Sequence, residues 1–219
     1  MNVKNISLFI FSLIILQLAI FTIQDKPVIE KIEMKEFEAT LPKFTPSELK
    51  FEKFFFDLDK EMLFLKNSKY FKNFVKEEIY AVEVEDLFLH ILSKVPELFQ
   101  LRYIDYDGNE VIRAQRNLNS TYLIAKNKLQ NKKHRYYFKN IMKSNDNKMW
   151  LSKIDANMEN GIIDFPERKT LRIGIPVLVD NAKQGILIAN IKMDQFKIED
   201  GEFLESFRTN ALKNIFISF

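Results

Sequence analysis

The run Arg135-Tyr136-Tyr137-Phe138 is where the residue types of this chain best suit ligand chemistry. A guanidinium presents a planar fork of donors that pairs with a carboxylate at two points, and aromatic neighbours keep water from such a pair. The same run also reads as a surface arginine beside core aromatics, with Tyr137 either donating a hydrogen bond to a ligand or simply packing. Trp150, the sole tryptophan, either lines a pocket or fills a core, since aromatics chiefly contribute buried area. Arg172 alternates with Leu171, Ile173 and Ile175, so on a strand it points away from them. It becomes a second anion-gripping group if the helix beginning near Tyr136 covers its face, and is solvated otherwise. Arg102 and Arg113 raise the same question, and the solvated reading is expected of both. The basic cluster Lys128 to Arg135 (KLQNKKHR) is expected to be a solvated helix end.

Other chemistries find little support. The chain has no cysteine, which removes disulfides, thiol catalysis and cysteine-based zinc sites together. Its two histidines, His90 and His134, are far apart in sequence, too few for an imidazole metal centre. Asp105, Asp107, Asn109 and Glu110 lack the spacing of a calcium loop, and a hairpin turn explains them better. No glycine-rich phosphate loop and no G-x-S-x-G elbow occurs among the five glycines. No enzyme and no cofactor is therefore expected. The 33 basic and 30 acidic side chains are interspersed and leave a net charge of only +3, which argues against a nucleic-acid surface.

These side chains need elements to hold them, and the hydrophobic pattern supplies an order. Ile6 to Ile23 carries no charge and, as a helix of about 27 Å, suits a bilayer core of roughly 30 Å. Large residues follow where a signal peptidase needs small ones, so an uncleaved single-pass anchor is expected rather than a cleaved signal. Thr45-Pro46-Ser47-Glu48 carries a capping box and a first-turn proline. The helix behind it, Leu49 to Leu65, sets Phe51, Phe54, Phe55, Leu58, Met62 and Leu65 near helical spacing, with Phe56 and Phe64 broadening the stripe. Helices are also expected over Ser68–Glu77 and Val82–Lys94, ending before Pro96. Strands are expected over Phe99–Ile104, Val111–Arg116, Met149–Ile154, Leu171–Val179 and Gly185–Lys192. Thr121–Asn127 and Tyr136–Lys143 read as helices or turns, and Asn160-Gly161 as a hairpin bend. The fold class is α+β: an N-terminal transmembrane helix, long helices, then a five-stranded mainly antiparallel sheet with a helical insert.

That order is similar to the PAS-like Cache (PDC) sensor domains of bacterial histidine kinases and chemoreceptors, and the likeness covers about Ser47 to Asp194. Phe99 to Asp105 with Asp107 to Arg113 resembles their opening hairpin, and His134 to Phe138 their inserted helix. Trp150 to Asp155, Asn157, Glu159 to Gly161, Arg172, and Ile175 to Val177 resemble the following strands, and Gly185 to Ile191 the last. The resemblance implies an extracytoplasmic domain behind its anchor, an orientation that lysine counting does not give. It also implies that Arg135 grips a ligand carboxylate, with Tyr for Trp and Phe138 for Tyr in the Arg-x-Trp-Tyr pattern. The family's supporting Tyr falls on Gln130. Its last-strand Asp, which holds an α-amine, falls on Asn190, which can hydrogen-bond but cannot neutralise an ammonium.

The resulting expectation is a membrane-anchored extracytoplasmic sensor of a small, anionic or carboxylate-bearing molecule, bound by Arg135, Tyr137, Phe138, Trp150, Arg172 and Asn190. Residues 1–24 would form the tail and anchor, 25–46 a linker, 47–196 the sensor, and 197–219 a linker helix and the start of an incomplete second module. The location would be the bacterial inner membrane with the main domain periplasmic. The output would come from a homodimer through the long helix or from a partner signalling protein. The competing expectation is an envelope scaffold that holds no ligand, told apart by whether the space beneath Arg135 is a polar-lined cavity or a closed, Phe-filled interior.

Overall fold

The computed structural model describes residues 45–77, 79–118, 120–144, 149–159, 161–198 and 201–213. The expected anchor, nearly all of the linker before Thr45, and the strand start after Lys213 lie outside the described residues. No helix among the described residues is long and apolar enough to cross a membrane.

Helix α1 (Pro46–Asn67) opens as its sequence dictates. The Thr45 hydroxyl accepts from the Glu48 backbone N–H, and the Glu48 carboxylate accepts from the Thr45 N–H, closing the capping box. Phe51, Phe55, Leu58, Met62 and Leu65 recur at three- and four-residue steps and are all buried. Phe56 and Phe64 lie one residue off that stripe and are exposed, so they do not broaden the core as expected. Helices α2 (Lys69–Glu77) and α3 (Ala81–Lys94) complete this layer, burying Phe71, Phe74, Phe88, Ile91 and Leu92. Arg116 ties the end of α3 to the sheet: its guanidinium donates to the carbonyls of Leu92, Ser93, Val95 and Leu98. These carbonyls lie at the end of the helix and the start of the next strand, where the helix's own ladder runs out.

The sheet has seven strands rather than five. Strands β1 (Leu98–Asp105), β2 (Glu110–Arg116) and β3 (Thr121–Leu123) lie on one side. Strands β8 (Lys169–Val179) and β9 (Ala182–Lys192) form the long central hairpin. The order is β3-β2-β1-β9-β8-β4, with β4 at Trp150–Leu151, and each pairing is antiparallel. The segment Thr121 to Asn127, expected as helix or turn, splits into the edge strand β3 and a 3₁₀ turn at Lys126–Lys128. The expected strand Met149–Ile154 shortens to β4 (Trp150–Leu151), because the Ser152 hydroxyl accepts from the Arg172 N–H and interrupts the ladder. The chain rejoins β8 lower down as β5 (Asp155–Ala156). A separate small hairpin follows, β6 (Met158–Glu159) with β7 (Ile162–Ile163).

The two faces of the sheet have different coverings. Leu101, Tyr103, Ile112, Ala114, Ile173, Ile175, Leu187, Ala189 and Ile191 pack with helices α1 to α3 in the main core. On the opposite face helix α4 (Tyr136–Lys143) lies over a smaller cluster of Ile104, Tyr137, Phe138, Ile141, Ile186 and Ile188. Gly174 makes this approach possible, since a Cβ there would come within 2.4 Å of Ile141 Cδ1. Lys183 holds the end of α4, its ammonium donating to the carbonyls of Met142 (2.7 Å) and Ser144. Helix α5 (Glu202–Lys213) packs Phe207 edge-on against Phe51 and Phe55 of α1.

Gly185 sits where the register of the central hairpin shifts, at φ +144°, with its would-be Cβ 2.1 Å from the Ile104 carbonyl oxygen. Backbone oxygens cannot swing aside as a side-chain tip can. Gly185→Ala is expected to cost at least about 2 kcal/mol, from a disfavoured φ and a backbone clash together, read as a lower urea midpoint.

Candidate functional site

The strand register places polar residues in rows across the face under α4. Gln115 pairs with Gln100, Gln100 with Asn190, and Asn190 with Arg172, making one row. In the next row Arg113 pairs with Arg102. Side chains alternate between faces, so these residues share the face opposite the main core. All but Gln115 are nearly fully buried: Arg172 at 1%, Arg102 at 2%, Arg113 at 6% and Asn190 at 0% exposure. The solvated reading of Arg102 and Arg113 is therefore wrong. The face they occupy is roofed by α4 and by the chain from Asp155 to Glu159. Lys132, part of the supposed solvated helix end, is also buried. Its segment is a loop that folds back on the β1–β2 turn, with the Lys132 N–H donating to the Gly108 carbonyl at 2.6 Å.

Tyr137 occupies the centre. The guanidiniums of Arg102, Arg135 and Arg172 sit 5.5, 5.7 and 5.6 Å from its ring centroid, within cation–π range. Arg102 donates to Asn190 Oδ1 (2.9 Å), to Glu110 Oε1 (3.3 Å) and to the Tyr137 hydroxyl (3.4 Å). Burial works against the charge on Arg102, but Tyr137 and the carboxylates of Glu110 and Glu159 outweigh it and raise its pKa above the ordinary value. Asn190 donates in turn to Gln100 Oε1 at 2.9 Å and to Asn157 Oδ1 at 3.3 Å. Arg172 donates to Asp155 Oδ1 and, at 3.5 Å, to the Tyr136 hydroxyl, which itself donates to Asp155 Oδ2 at 2.8 Å.

A second knot lies toward β2. The Glu159 carboxylate accepts from Arg113 (3.2 Å), Lys132 (3.1 Å), Gln100 (3.0 Å) and Gln130 (3.3 Å). Burial would raise the pKa of Glu159, but the charges of Arg102, Arg113 and Lys132 and the bond from Gln100 pull it down to about 2. The Nε atoms of Arg102, Arg113 and Arg172 are buried without a hydrogen-bond partner. Beside this knot opens a cleft of about 350 Å³, lined in part by Gln115, Asn157, Glu159 and Arg168.

The expected ligand residues divide accordingly. Arg172, Asn190 and Tyr137 converge, and Arg135 reaches the same ring from the N-terminus of α4, half-buried, with its Nη1 3.5 Å from Met158 Sδ. Trp150 stands at the rim, partly buried, its ring 6.0 Å from that of Tyr136. Phe138 is buried in the apolar cluster under α4 and makes that cluster's packing. Sequence reading missed Arg102, Arg113, Glu110, Lys132 and Glu159. The available signal was that strands β1, β2, β8 and β9 each carry polar residues on the same alternating phase. Among the described residues no cluster of His, Asp or Glu could hold a metal ion.

A carboxylate whose folded pKa is depressed stabilises the fold above its unfolded pKa and loses that contribution as pH falls through the folded value. For Glu159 the window runs from about 4.5 down to about 2. Glu159→Gln is expected to lower stability at pH 7 by on the order of 3 kcal/mol and to flatten the acid limb across this window. Urea midpoints at pH 7 and pH 3 check both.

Residues 37–198 match the family described as the sensor domain of bacterial histidine kinases. Among solved structures, the chain is similar to the extracellular domain of vpHK1S-Z8, named as a histidine kinase. The TM-score is 0.62 at 19% identity, over 74% of this chain and 56% of that one. It is also similar to a domain of a sensory box/GGDEF family protein from Vibrio parahaemolyticus, with TM-score 0.62 at 19% identity over 74% and 59% of the two chains. The ligand-binding domain of the Campylobacter jejuni chemoreceptor Tlp3, in complex with 4-methylisoleucine, aligns with TM-score 0.51 at 12% identity over 69% and 56%. The chain thus spans between half and two thirds of the length of these domains. No curated protein matches it.

Proposed function

Because the chain belongs to the bacterial histidine kinase sensor domain family, we propose that it is an extracytoplasmic sensor whose sheet face under α4 binds a small carboxylate-bearing molecule. The observation that carries this reading is the cluster of Arg102, Arg135 and Arg172 around Tyr137. A low-dielectric interior tolerates guanidiniums only when anions or strong acceptors face them, and planar forks are the donors best matched to carboxylates. Arg135 is the group best placed to engage an incoming ligand, since it is half-buried and its guanidinium lies against a thioether and a ring. Arg172 and Asn190 would hold the ligand from the sheet below, Tyr137 would separate the cations, and Trp150 would close the rim. With Asn rather than a carboxylate at 190, that position offers a hydrogen bond but no charge to an ammonium, and the nearby Asp155 and Glu110 carboxylates are already paired with Arg172 and Arg102, so acids without an α-amine suit the site better than amino acids.

The same proposal keeps the anchor at Ile6–Ile23, the periplasmic placement, and 47–196 as the sensing module with 197–219 leading into a further one. Output then needs a partner or a further region, coupled by a ligand with different affinities for two positions of α1. The interior beneath Arg135 holds charges rather than packed Phe rings, which favours sensing over a ligand-free scaffold.

Calorimetry of the full chain against a panel of mono- and dicarboxylates, amino acids and amines tests the reading. Carboxylates should bind and amines should not. Arg135→Ala should weaken binding by about ten- to a hundred-fold, the worth of a charged hydrogen bond, with little change in urea midpoint. Binding of amines alone, or carboxylate binding indifferent to Arg135, would contradict it.

A further inference from the structure

The carboxylates that face the buried cations from outside the sheet come from one short segment. In Asp155-Ala156-Asn157-Met158-Glu159, alternate residues point inward, as a strand requires. Asp155 meets Arg172, Asn157 meets Asn190, and Glu159 meets Arg113, Lys132 and Gln100. Few backbone bonds hold this strap down: β5 contributes two residue pairs to β8, the Asn157 N–H donates to the Arg168 carbonyl at 3.1 Å, and β6 pairs with β7. The far strand of that hairpin is exposed, Ile162 at 72%.

We propose that Arg113 and Lys132, with Gln100 and Gln130, form a second anion site for a small carboxylate, filled in this structure by the chain's own Glu159. Four donors from three separate segments converge on this one carboxylate, two of them charged, which is the environment a free carboxylate would need. Two further observations point to a ligand rather than to a closed structural ion pair. Arg113 is only 6% exposed, yet its Nε has no hydrogen-bond partner, so its guanidinium keeps a donor beyond those taken up by Glu159, Glu110 and Gln115. The cleft of about 350 Å³ opens on Glu159, lined by Asp164, Glu167 and Asp194 as well as by Arg168 and Lys192, so this carboxylate is reached from solvent. Lifting the strap would remove the Glu159 contacts of Arg113 and Lys132, leaving Arg113 with Glu110 and Gln115 and Lys132 with Gln130, and, through Met158 and Asp155 on the same segment, would also release contacts of Arg135 and Arg172. Glu159 is thus a tethered competitor: a ligand acid binds by taking its place. The choice of ligand class rests on the sensor reading above, whereas the existence of the site does not.

The test removes the tethered carboxylate and offers a free one. Thermal midpoints of the full chain, wild type and Glu159→Ala, are measured in rising sodium acetate against sodium chloride of equal ionic strength. The variant should melt lower than wild type and recover with acetate, saturably, at concentrations at least ten-fold below any that affect wild type. If the alanine variant does not fold, Glu159→Gln keeps the shape and must show the same acetate dependence by calorimetry. Acetate no better than chloride in both variants overturns the site. Because the chain has no cysteine, Ile162→Cys takes a single fluorescent label on the hairpin. In the Glu159 background its emission should shift as acetate saturates, and a label that stays silent while acetate binds overturns displacement. Rescue by acetate with no carboxylate bound through Arg135 would leave this site standing and sink the sensor reading alone.

Discussion

A charge taken out of water must be met by another charge or by enough donors and acceptors to replace its hydration. On one face of this sheet the fold buries Arg102, Arg113, Arg172 and Lys132 together, and much of the remaining architecture answers that demand. Glu110 supplies a fixed counter-charge from β2, buried with no side-chain exposure against Arg102 and Arg113. The other two partners, Glu159 and Asp155, reach in from the strap with 19% and 37% of their side chains exposed. The inner pairing is thus permanent and the outer pairing is close to solvent, so exchange with an external anion can happen only at the outer layer.

The opposite face explains how such a site is affordable. Helices α1 to α3 give the sheet an apolar core with several phenylalanines fully buried, and that core carries the stability. Replacing a buried ion pair by hydrocarbon is often neutral or stabilising, so a charged cluster of this size is weak evidence for a structural purpose. A recognition purpose accounts for it better, since the same guanidiniums that cost folding energy supply oriented donors to a ligand. Helix α4 belongs to both demands. Ile141 and Phe138 seat it on Ile186 and Ile188, while its first turn carries Tyr136 and Tyr137 into the cations.

The helices could be read from the sequence because their signals are local. The capping box at Thr45 and Glu48 and the stripe from Phe51 to Leu65 require no knowledge of tertiary structure. The alternating strands were legible for the same reason. The burial of Arg102 and Arg113 was not, because alternation says that two faces differ and not that both are covered. Only the register aligns Arg113 with Arg102, and Gln100 with Asn190, into a common surface. Lys132 was hidden by long-range folding of its loop onto Gly108. The strands beyond the five expected, the three-residue β3 and the two-residue β5, are too short to leave a period.

Ligand recognition on this face depends on guanidiniums that are sheltered from water yet retain donor capacity. Arginine side-chain Nε–H resonances observe this directly, in a nitrogen-15 spectrum of the full chain at neutral pH with and without carboxylate. The account predicts that Nε–H signals of Arg102, Arg113 and Arg172, assigned by substitution, exchange slowly with water and that those of Arg113 and Arg172 shift on adding a binding carboxylate. Signals that exchange as fast as those of surface arginines, and do not respond to any carboxylate, would contradict it.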